Sequence, residues 1–161
     1  MNFPSSKPIC PACKQGVLHP TVRQQTFTPR GRTVVVELLA SRCDHCNQQI
    51  TRSAQHDENL VRLAARKAQY GDDTLMGEEI VRLRKCYGLT LQATAKIFGK
   101  GKATFAQYEN EMTYPDLSTT RLMQAAIAQP DWLKWLADKA GVELPLWKER
   151  CEDAAAAGFL R

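Results

Sequence analysis

Four of the six cysteines form two Cys-x-x-Cys pairs, Cys10 with Cys13 and Cys43 with Cys46. Two thiolates three positions apart on a tight turn can bind one cation, and four of them fill a tetrahedral site, which leaves no open position for substrate or water. The pattern predicts one structural Zn2+ ion per chain, held by these four residues. The alternatives are metal-free structural thiols or a redox-active pair.

The remaining residues with metal-binding side chains lack such spacing. His45 lies inside the second pair and could replace a sulfur, but we interpret it as a solvent-facing residue of the turn. His19 and His56 are interpreted as surface residues. Cys86 and Cys151 stand alone and are interpreted as small buried residues that fill space in the core.

A β-hairpin is predicted between the two pairs, because 29 residues separate them and the commonest spacing for four-cysteine sites is only about 15 to 20. Two stretches rich in β-branched residues, 21–28 and 33–39, flank the turn residues Pro29-Arg30-Gly31-Arg32. A hairpin folds back on itself, so it would bring the second pair beside the first.

A helix is predicted after the second pair, with Asp57 as its N-cap. Its apolar stripe would consist of Leu60, Leu63, Ala64 and Ala68. The helix would close a zinc domain at residues 1–70, and residues 71–74 read as a linker.

From residue 75 the pattern is helical with short interruptions. Gly88 would end one helix, Thr90 would cap the next, Gly99 would end that one, and a third helix would run over 102–110. Two short helices joined by a brief glycine-containing turn are what a helix-turn-helix requires. Two further helices would begin at Ser118 and Pro130.

The helical half resembles the helix-turn-helix core of the XRE family, which includes phage Cro and repressor. The residues that carry the resemblance are Leu89, Thr90, Ala95, Gly99, Phe105, Tyr108, Glu109 and Pro115. The predicted fold class is therefore α+β: a small zinc-bound β-hairpin domain with a helix, an all-α XRE-like domain at 75–140, and a C-terminal extension at 141–161.

The charge pattern favours double-stranded DNA as a partner of this half. The chain has a net charge of +5, and the segment 82–108 contains six basic residues and no acidic one. Basic residues would bind phosphates and the third helix would read bases in the major groove. The alternative is a merely solvated basic face. The predicted DNA-binding residues are Arg84, Lys96, Lys100, Lys102, Ala103, Thr104, Ala106 and Gln107.

The order of the two modules resembles the MqsA family of antitoxins, which begin with a YgiT-type zinc domain. The match includes Thr26-Phe27-Thr28-Pro29-Arg30-Gly31-Arg32 between the cysteine pairs and Ile97-Phe98-Gly99 before the third helix. The resemblance implies that the zinc domain neutralises a cognate toxin, often a small ribonuclease. It also implies that paired helix-turn-helix domains bind a palindromic operator. The protein would be the antitoxin of a type II toxin-antitoxin system, an autorepressor and not an enzyme.

Departures from the family pattern affect the DNA-binding face. Ala103 and Gln107 stand where the family has an Asn and an Arg that read bases, so the operator must differ. Leu91, with Gln92 beside it, replaces a Gln that contacts phosphate in the family. A stand-alone transcriptional regulator, with a structural or sensing zinc site, is the alternative function.

A homodimer is expected, since one helix-turn-helix reads only one half-site. Trp132 and Trp135 would lie in the dimer interface or, equally, in the protomer core. The extension, with Leu144, Trp147 and Phe159, would pack on the helical domain, extend the dimer interface or contact the toxin. Neither a secretory signal nor a membrane span is indicated, so we expect a cytoplasmic protein.

Overall fold

The computed structural model describes residues 7–149. They form a three-stranded antiparallel sheet and seven α-helices, which confirms the α+β fold class. The chain divides into two compact units, unit 1 up to Gln69 and unit 2 from Tyr70 onward. The strands are β1 (Leu18–Phe27), β2 (Val34–Cys43) and β3 (Gln49–Ile50); the helices are α1 (Ser53–Ala65), α2 (Lys67–Tyr70), α3 (Gly77–Cys86), α4 (Leu91–Ile97), α5 (Lys102–Glu109), α6 (Leu117–Ala128) and α7 (Pro130–Ala140).

The predicted hairpin is present as β1 and β2, which pair in register from Leu18 opposite Cys43 to Phe27 opposite Val34. Both strands are longer than the sequence pattern indicates, and β2 ends on Cys43 itself. Strand β3 pairs with Ser41 and Arg42 and was not predicted, because two residues are too few to show a periodic pattern. The hairpin therefore delivers the second cysteine pair directly to the start of β1.

Helix α1 differs from its prediction. It begins at Ser53, so Asp57 lies inside the helix and is not its N-cap. The expected apolar stripe is also wrong, since Leu60 is 52% exposed and the buried residue of this helix is Asn59. The helix is not held to the sheet by an apolar face.

Side-chain amides bind α1 to β2 along the edge that the short strand β3 leaves unpaired. Asn59 accepts a hydrogen bond from the backbone N–H of Leu39 at 2.7 Å and donates one to the Leu39 carbonyl at 2.8 Å. Gln55, one turn earlier, donates to the Ala40 carbonyl at 2.8 Å. The Asn59 amide thus pairs with the edge as a neighbouring strand would, which satisfies backbone groups that would otherwise need another partner.

Unit 2 is a helical unit around one apolar core. Gly88 and Gly99 have φ angles of 68° and 67°, a left-handed conformation that glycine adopts without strain, and they follow α3 and α4 as predicted. Thr90 caps α4 by accepting a hydrogen bond from the N–H of Ala93. Helix α6 begins one residue before the predicted Ser118, because Asp116 is its N-cap. The buried core includes Leu75, Ile80, Leu83, Phe105, Met123, Leu133 and Ala137.

The described part of the extension packs on the helices of unit 2. Leu144 is buried, and Trp147 stacks on Tyr87 with ring centroids 6.1 Å apart. The Leu146 N–H donates to the Tyr87 carbonyl. Cys151 and Phe159 lie outside the described residues. Within 7–149, no helix has the length and apolar character needed to cross a bilayer.

Candidate functional site

The two Cys-x-x-Cys turns have the same backbone geometry. The N–H of Lys14 donates to the Cys10 carbonyl at 2.9 Å, and the N–H of Asn47 donates to the Cys43 carbonyl at 3.1 Å. Lys14 and Asn47 both have left-handed conformations, with φ angles of 57° and 59°. The fourth residue after each first cysteine therefore turns the chain in the same way, which directs both sulfurs of each pair inward.

The four sulfurs meet in one cluster, as the sequence predicts. The Sγ atoms of Cys10, Cys13, Cys43 and Cys46 all lie within 4.8 Å of one another. The Cys10–Cys46 and Cys13–Cys43 sulfur distances are 3.8 and 3.7 Å. A tetrahedral zinc site with Zn–S bonds of about 2.3 Å requires sulfurs about 3.8 Å apart, so the cluster has the dimensions of a metal site.

Backbone N–H groups donate hydrogen bonds to two of the four sulfurs. The N–H of Gly16 donates to Cys13 Sγ at 3.4 Å, and those of His45 and Cys46 donate to Cys43 Sγ at 3.4 and 3.5 Å. These donors stabilise thiolates, the forms that bind a cation. His45 contributes its backbone N–H, and its exposed imidazole is not part of the cluster.

The thiols ionise unequally. Hydrogen bonds from the backbone N–H groups of Gln15 and Gly16 lower the pKa of Cys13 to about 6. At Cys46 the N–H of Gln48 acts in the same direction, but desolvation and the neighbouring thiols outweigh it and raise the pKa to about 11. Adjacent thiolates repel one another, so full ionisation of the cluster calls for a cation among them.

Residues that the sequence analysis missed support the cluster. A Cβ atom on Gly16 would lie 2.4 Å from Cys43 Sγ, so this position admits only glycine. The Asp44 carboxylate accepts one hydrogen bond from the Val17 N–H at 2.8 Å and pairs with His19 Nε2 at 3.1 Å. These two contacts, the first above all, lower the pKa of the Asp44 carboxyl. His19 is exposed, as expected, but it has a partner that sequence spacing did not reveal.

The residues of the predicted recognition face belong to α5. Phe105 and Tyr108 are buried in the core of unit 2, which fixes the helix there, and their rings pack edge to face with centroids 6.0 Å apart. The opposite side is open to solvent: Lys102, Ala103 and Gln107 are exposed, while Thr104 and Ala106 are partly buried.

The predicted phosphate-binding residues differ in their surroundings. Lys96 is exposed, as Lys102 is, and within residues 7–149 neither of them forms an ion pair. Lys100 Nζ lies 3.0 Å from Asp116 Oδ2. Arg84 forms two hydrogen bonds with Glu109, from Nε at 2.6 Å and from Nη2 at 3.1 Å. The structure therefore places the Arg84 guanidinium between α3 and α5 and not on the exposed face of α5.

The two tryptophans of α7 lie outside the protomer core. Trp132 and Trp135 are 50% and 52% exposed, with ring centroids 6.0 Å apart. Leu122 and Ile127 of α6 are also large exposed apolar residues. Of the two expectations for the tryptophans, burial within the protomer is wrong.

Comparison with known proteins finds a matching family, a similar protein and a similar solved domain. Residues 9–136 match the model of the MqsA family, described as the antitoxin component of bacterial toxin-antitoxin systems. Antitoxin MqsA of Escherichia coli strain K12 is 31% identical over 125 residues, which are 77% of this chain and 95% of that protein. The solved N-terminal domain of Escherichia coli MqsA is 27% identical, covers 38% of this chain and 94% of that domain, and superposes with a TM-score of 0.25.

Proposed function

Because the chain belongs to the MqsA family, the antitoxin component of bacterial toxin-antitoxin systems, we propose that it neutralises a cognate toxin through unit 1 and represses its own operon through unit 2. The toxin would be a small protein, and a ribonuclease is the expected class. The proposal makes the protein a type II antitoxin without catalytic activity of its own, acting in the cytoplasm.

Zn2+ is the metal we propose for unit 1. The observation that supports it is the group of four thiol sulfurs, which all lie within 4.8 Å of one another and include two pairs at 3.8 and 3.7 Å. All four positions would be taken by protein sulfur, so the ion would hold the two turns together and would activate no water or substrate. Cys10, Cys13, Cys43 and Cys46 are the proposed ligands.

DNA binding is proposed for unit 2, and the exposed polar side of α5 supports it. Phe105 and Tyr108 fix the helix from below, and its outer residues are free to enter a major groove. Gln107 can form two hydrogen bonds to adenine and Lys102 can reach guanine. Ala103, Thr104 and Ala106 would contact base edges and methyl groups, while Lys96 would bind a phosphate.

A homodimer would bind a palindromic operator. The large apolar side chains exposed on α6 and α7, which are Leu122, Ile127, Trp132 and Trp135, support this part of the proposal, because an exposed apolar surface marks an interaction site. The same surface on a second copy would cover it in a two-fold arrangement, and each copy would then read one half-site.

Growth of cells that carry the neighbouring gene tests the antitoxin function. Expression of the adjacent open reading frame alone should stop growth, and co-expression of this full chain should restore it. The two proteins should also purify together from the native operon. A harmless neighbouring gene, combined with a chain that always elutes alone, would contradict the antitoxin function and favour a stand-alone regulator.

Substitutions on α5 test the DNA-reading role. Changing Gln107 and Lys102 together to alanine should remove most of the preference for the promoter fragment over random duplex, because each good base contact contributes about 1 to 3 kcal/mol of discrimination. Lys96→Ala should weaken binding to both duplexes alike and reduce the salt dependence by about one phosphate contact. Lys148→Ala, which removes the same charge from the exposed extension, is the control. Gel shifts over a salt series give all these quantities.

Equal affinity of the parent protein for the promoter fragment and for random duplex would contradict base reading by α5. So would a double variant that keeps the full preference of the parent.

A further inference from the structure

An ion pair joins the turn before α5 to the start of α6. Lys100 lies in the turn between α4 and α5, and its Nζ is 3.0 Å from Oδ2 of Asp116, the N-cap of α6. The side chain of Lys100 is only 27% exposed, although lysine side chains usually extend into water, while that of Asp116 is 57% exposed. The pair therefore lies at the surface with the lysine directed back toward the protein.

Asp116 is held in place by its role as helix cap. Its Oδ1 accepts a hydrogen bond from the Thr119 N–H at 2.8 Å, and its Oδ2 accepts one from the Thr119 hydroxyl at 3.0 Å. The Thr119 N–H, followed by Lys100, lowers the pKa of the Asp116 carboxyl well below its usual range. The pKa of Lys100 is raised, chiefly by its hydrogen bond to Asp116. Both groups are therefore charged at neutral pH.

The backbone of Lys100 is fixed as well. Its N–H donates to the Ala95 carbonyl at 2.8 Å, and Gly99 before it has a left-handed conformation. Lys102 opens α5 two residues later and is exposed, with no ion pair within the described part of the chain. The Asp116 carboxylate thus neutralises the lysine of the turn that precedes the proposed recognition helix.

We propose that Asp116 is a positioning residue that limits the affinity of the protein for DNA by holding Lys100 away from phosphate. The inference rests on the proposed DNA-binding function. Phosphate contacts supply the sequence-independent, salt-dependent part of binding, and each one adds about 0.9 to the slope of log affinity against log salt concentration. A lysine paired within the protein adds nothing to that slope, so a repressor with this pair binds less tightly and leaves its operator more readily.

Asp116→Asn tests the proposal because asparagine caps helices as well as aspartate does, whereas it cannot neutralise Lys100. The variant should bind both the promoter fragment and random duplex about tenfold more tightly at about 0.1 M salt, with a slope steeper by about one. Its preference for the promoter fragment should be unchanged. Thermal unfolding should stay close to that of the parent protein, which separates the effect from a loss of structure.

Two further variants isolate the role of Lys100. Lys100→Met alone should leave the salt slope of the parent unchanged, and adding it to Asp116→Asn should remove the extra slope gained by that variant. Glu58→Gln is the matched control, because it changes the net charge equally and breaks the exposed Glu58–Arg62 pair of unit 1, which is 3.1 Å long.

The results separate this inference from the function on which it rests. If the parent protein binds DNA and Asp116→Asn has the same salt slope as the parent, the inference is overturned and the proposed function is not. If Lys100→Met reduces the salt slope as Lys96→Ala does, the inference is also overturned, because Lys100 would then already contact phosphate in the parent protein. If the parent protein binds no duplex at low salt, the proposed DNA-binding function and the inference are both overturned.

Discussion

Replacing Cys43 by serine is expected to release the metal from unit 1 and to unfold that unit, while unit 2 stays folded. Cys43 ends β2, lies opposite Leu18 in the hairpin and accepts hydrogen bonds from two backbone N–H groups. Serine is a poor ligand for zinc in place of a thiolate. One lost ligand opens the site, and the two turns lose the ion that holds them together.

The expected effect is large because, among the described residues, the apolar cluster beside the turns is small. The buried apolar cluster beside the turns contains Cys10, Leu18 and Cys43, with Cys13 and Ile50 packed against it. Structural zinc contributes about 10 to 16 kcal/mol in small zinc-binding peptides, as much as the whole stability of an ordinary domain, about 5 to 15 kcal/mol. Without the ion, the hairpin should not stay folded at room temperature.

Metal analysis and thermal unfolding check this prediction. The parent should carry one zinc per chain, and Cys43→Ser should carry much less. The variant should lose the unfolding transition of unit 1 and the strand signal in far-ultraviolet circular dichroism, while it still binds duplex DNA. Cys86→Ser is the control, since Cys86 lies in α3 of unit 2, apart from the cluster. Unchanged metal content in Cys43→Ser would contradict the proposed site.

The cysteine cluster could be predicted from sequence because its ligands obey a local rule. Each pair occupies one tight turn, and the β-branched stretches between the pairs indicate the hairpin that joins them. The supporting contacts depend on distant partners and were missed. Gly16 is required because Cys43, 27 residues later, packs against it, and nothing in the neighbourhood of Gly16 signals this contact.

The failure at α1 has a different physical cause. A search for an apolar stripe assumes that a helix is held by its apolar face. Helix α1 instead binds the edge of β2 through the amides of Gln55 and Asn59, which are one helical turn apart. Two amide side chains at this spacing, in a helix with a poor apolar stripe, are the sequence feature that could have predicted this mode of binding.

Charge counting gave no sign of the partner that Arg84 has in the fold. A basic segment without acidic residues predicts a phosphate-binding surface, but Glu109 lies just beyond that segment and pairs with Arg84. Sequence cannot tell a lysine or arginine that faces solvent from one that is paired inside the fold. Both Arg84 and Lys100 have internal partners, whereas Lys96 and Lys102 match the expectation of exposure.

Glu109→Ala should strongly destabilise unit 2, because it leaves the Arg84 guanidinium partly buried without its carboxylate. The side chains are 18% exposed at Arg84 and 9% at Glu109. Removing one member of a buried pair costs about 3 to 5 kcal/mol, and we expect about 3 kcal/mol here because water still reaches the pair. Arg84 also donates to the Leu89 carbonyl at 3.3 Å, so the turn before α4 would loosen too.

Thermal or denaturant unfolding measures this loss. A change of 1 kcal/mol lowers the midpoint by about 4 to 8 °C in a domain of this size, so the transition of unit 2 should fall by more than about 10 °C. Arg84→Met combined with Glu109→Leu should be less destabilising than Glu109→Ala, because it removes both charges from the same place. Glu143→Ala, at an exposed site in the extension, should leave the midpoint unchanged.

A further variant, Arg84→Met alone, decides what Arg84 does in DNA binding. If its role is to fix α5 on α3, Arg84→Met should lower the unfolding midpoint, and at temperatures where the variant is folded its salt slope should match that of the parent. If Arg84 binds phosphate, the slope should fall as it does for Lys96→Ala while stability is kept. The bidentate contact with Glu109 favours the first outcome, since a guanidinium held at 2.6 and 3.1 Å by a carboxylate must break both bonds before it can reach a phosphate.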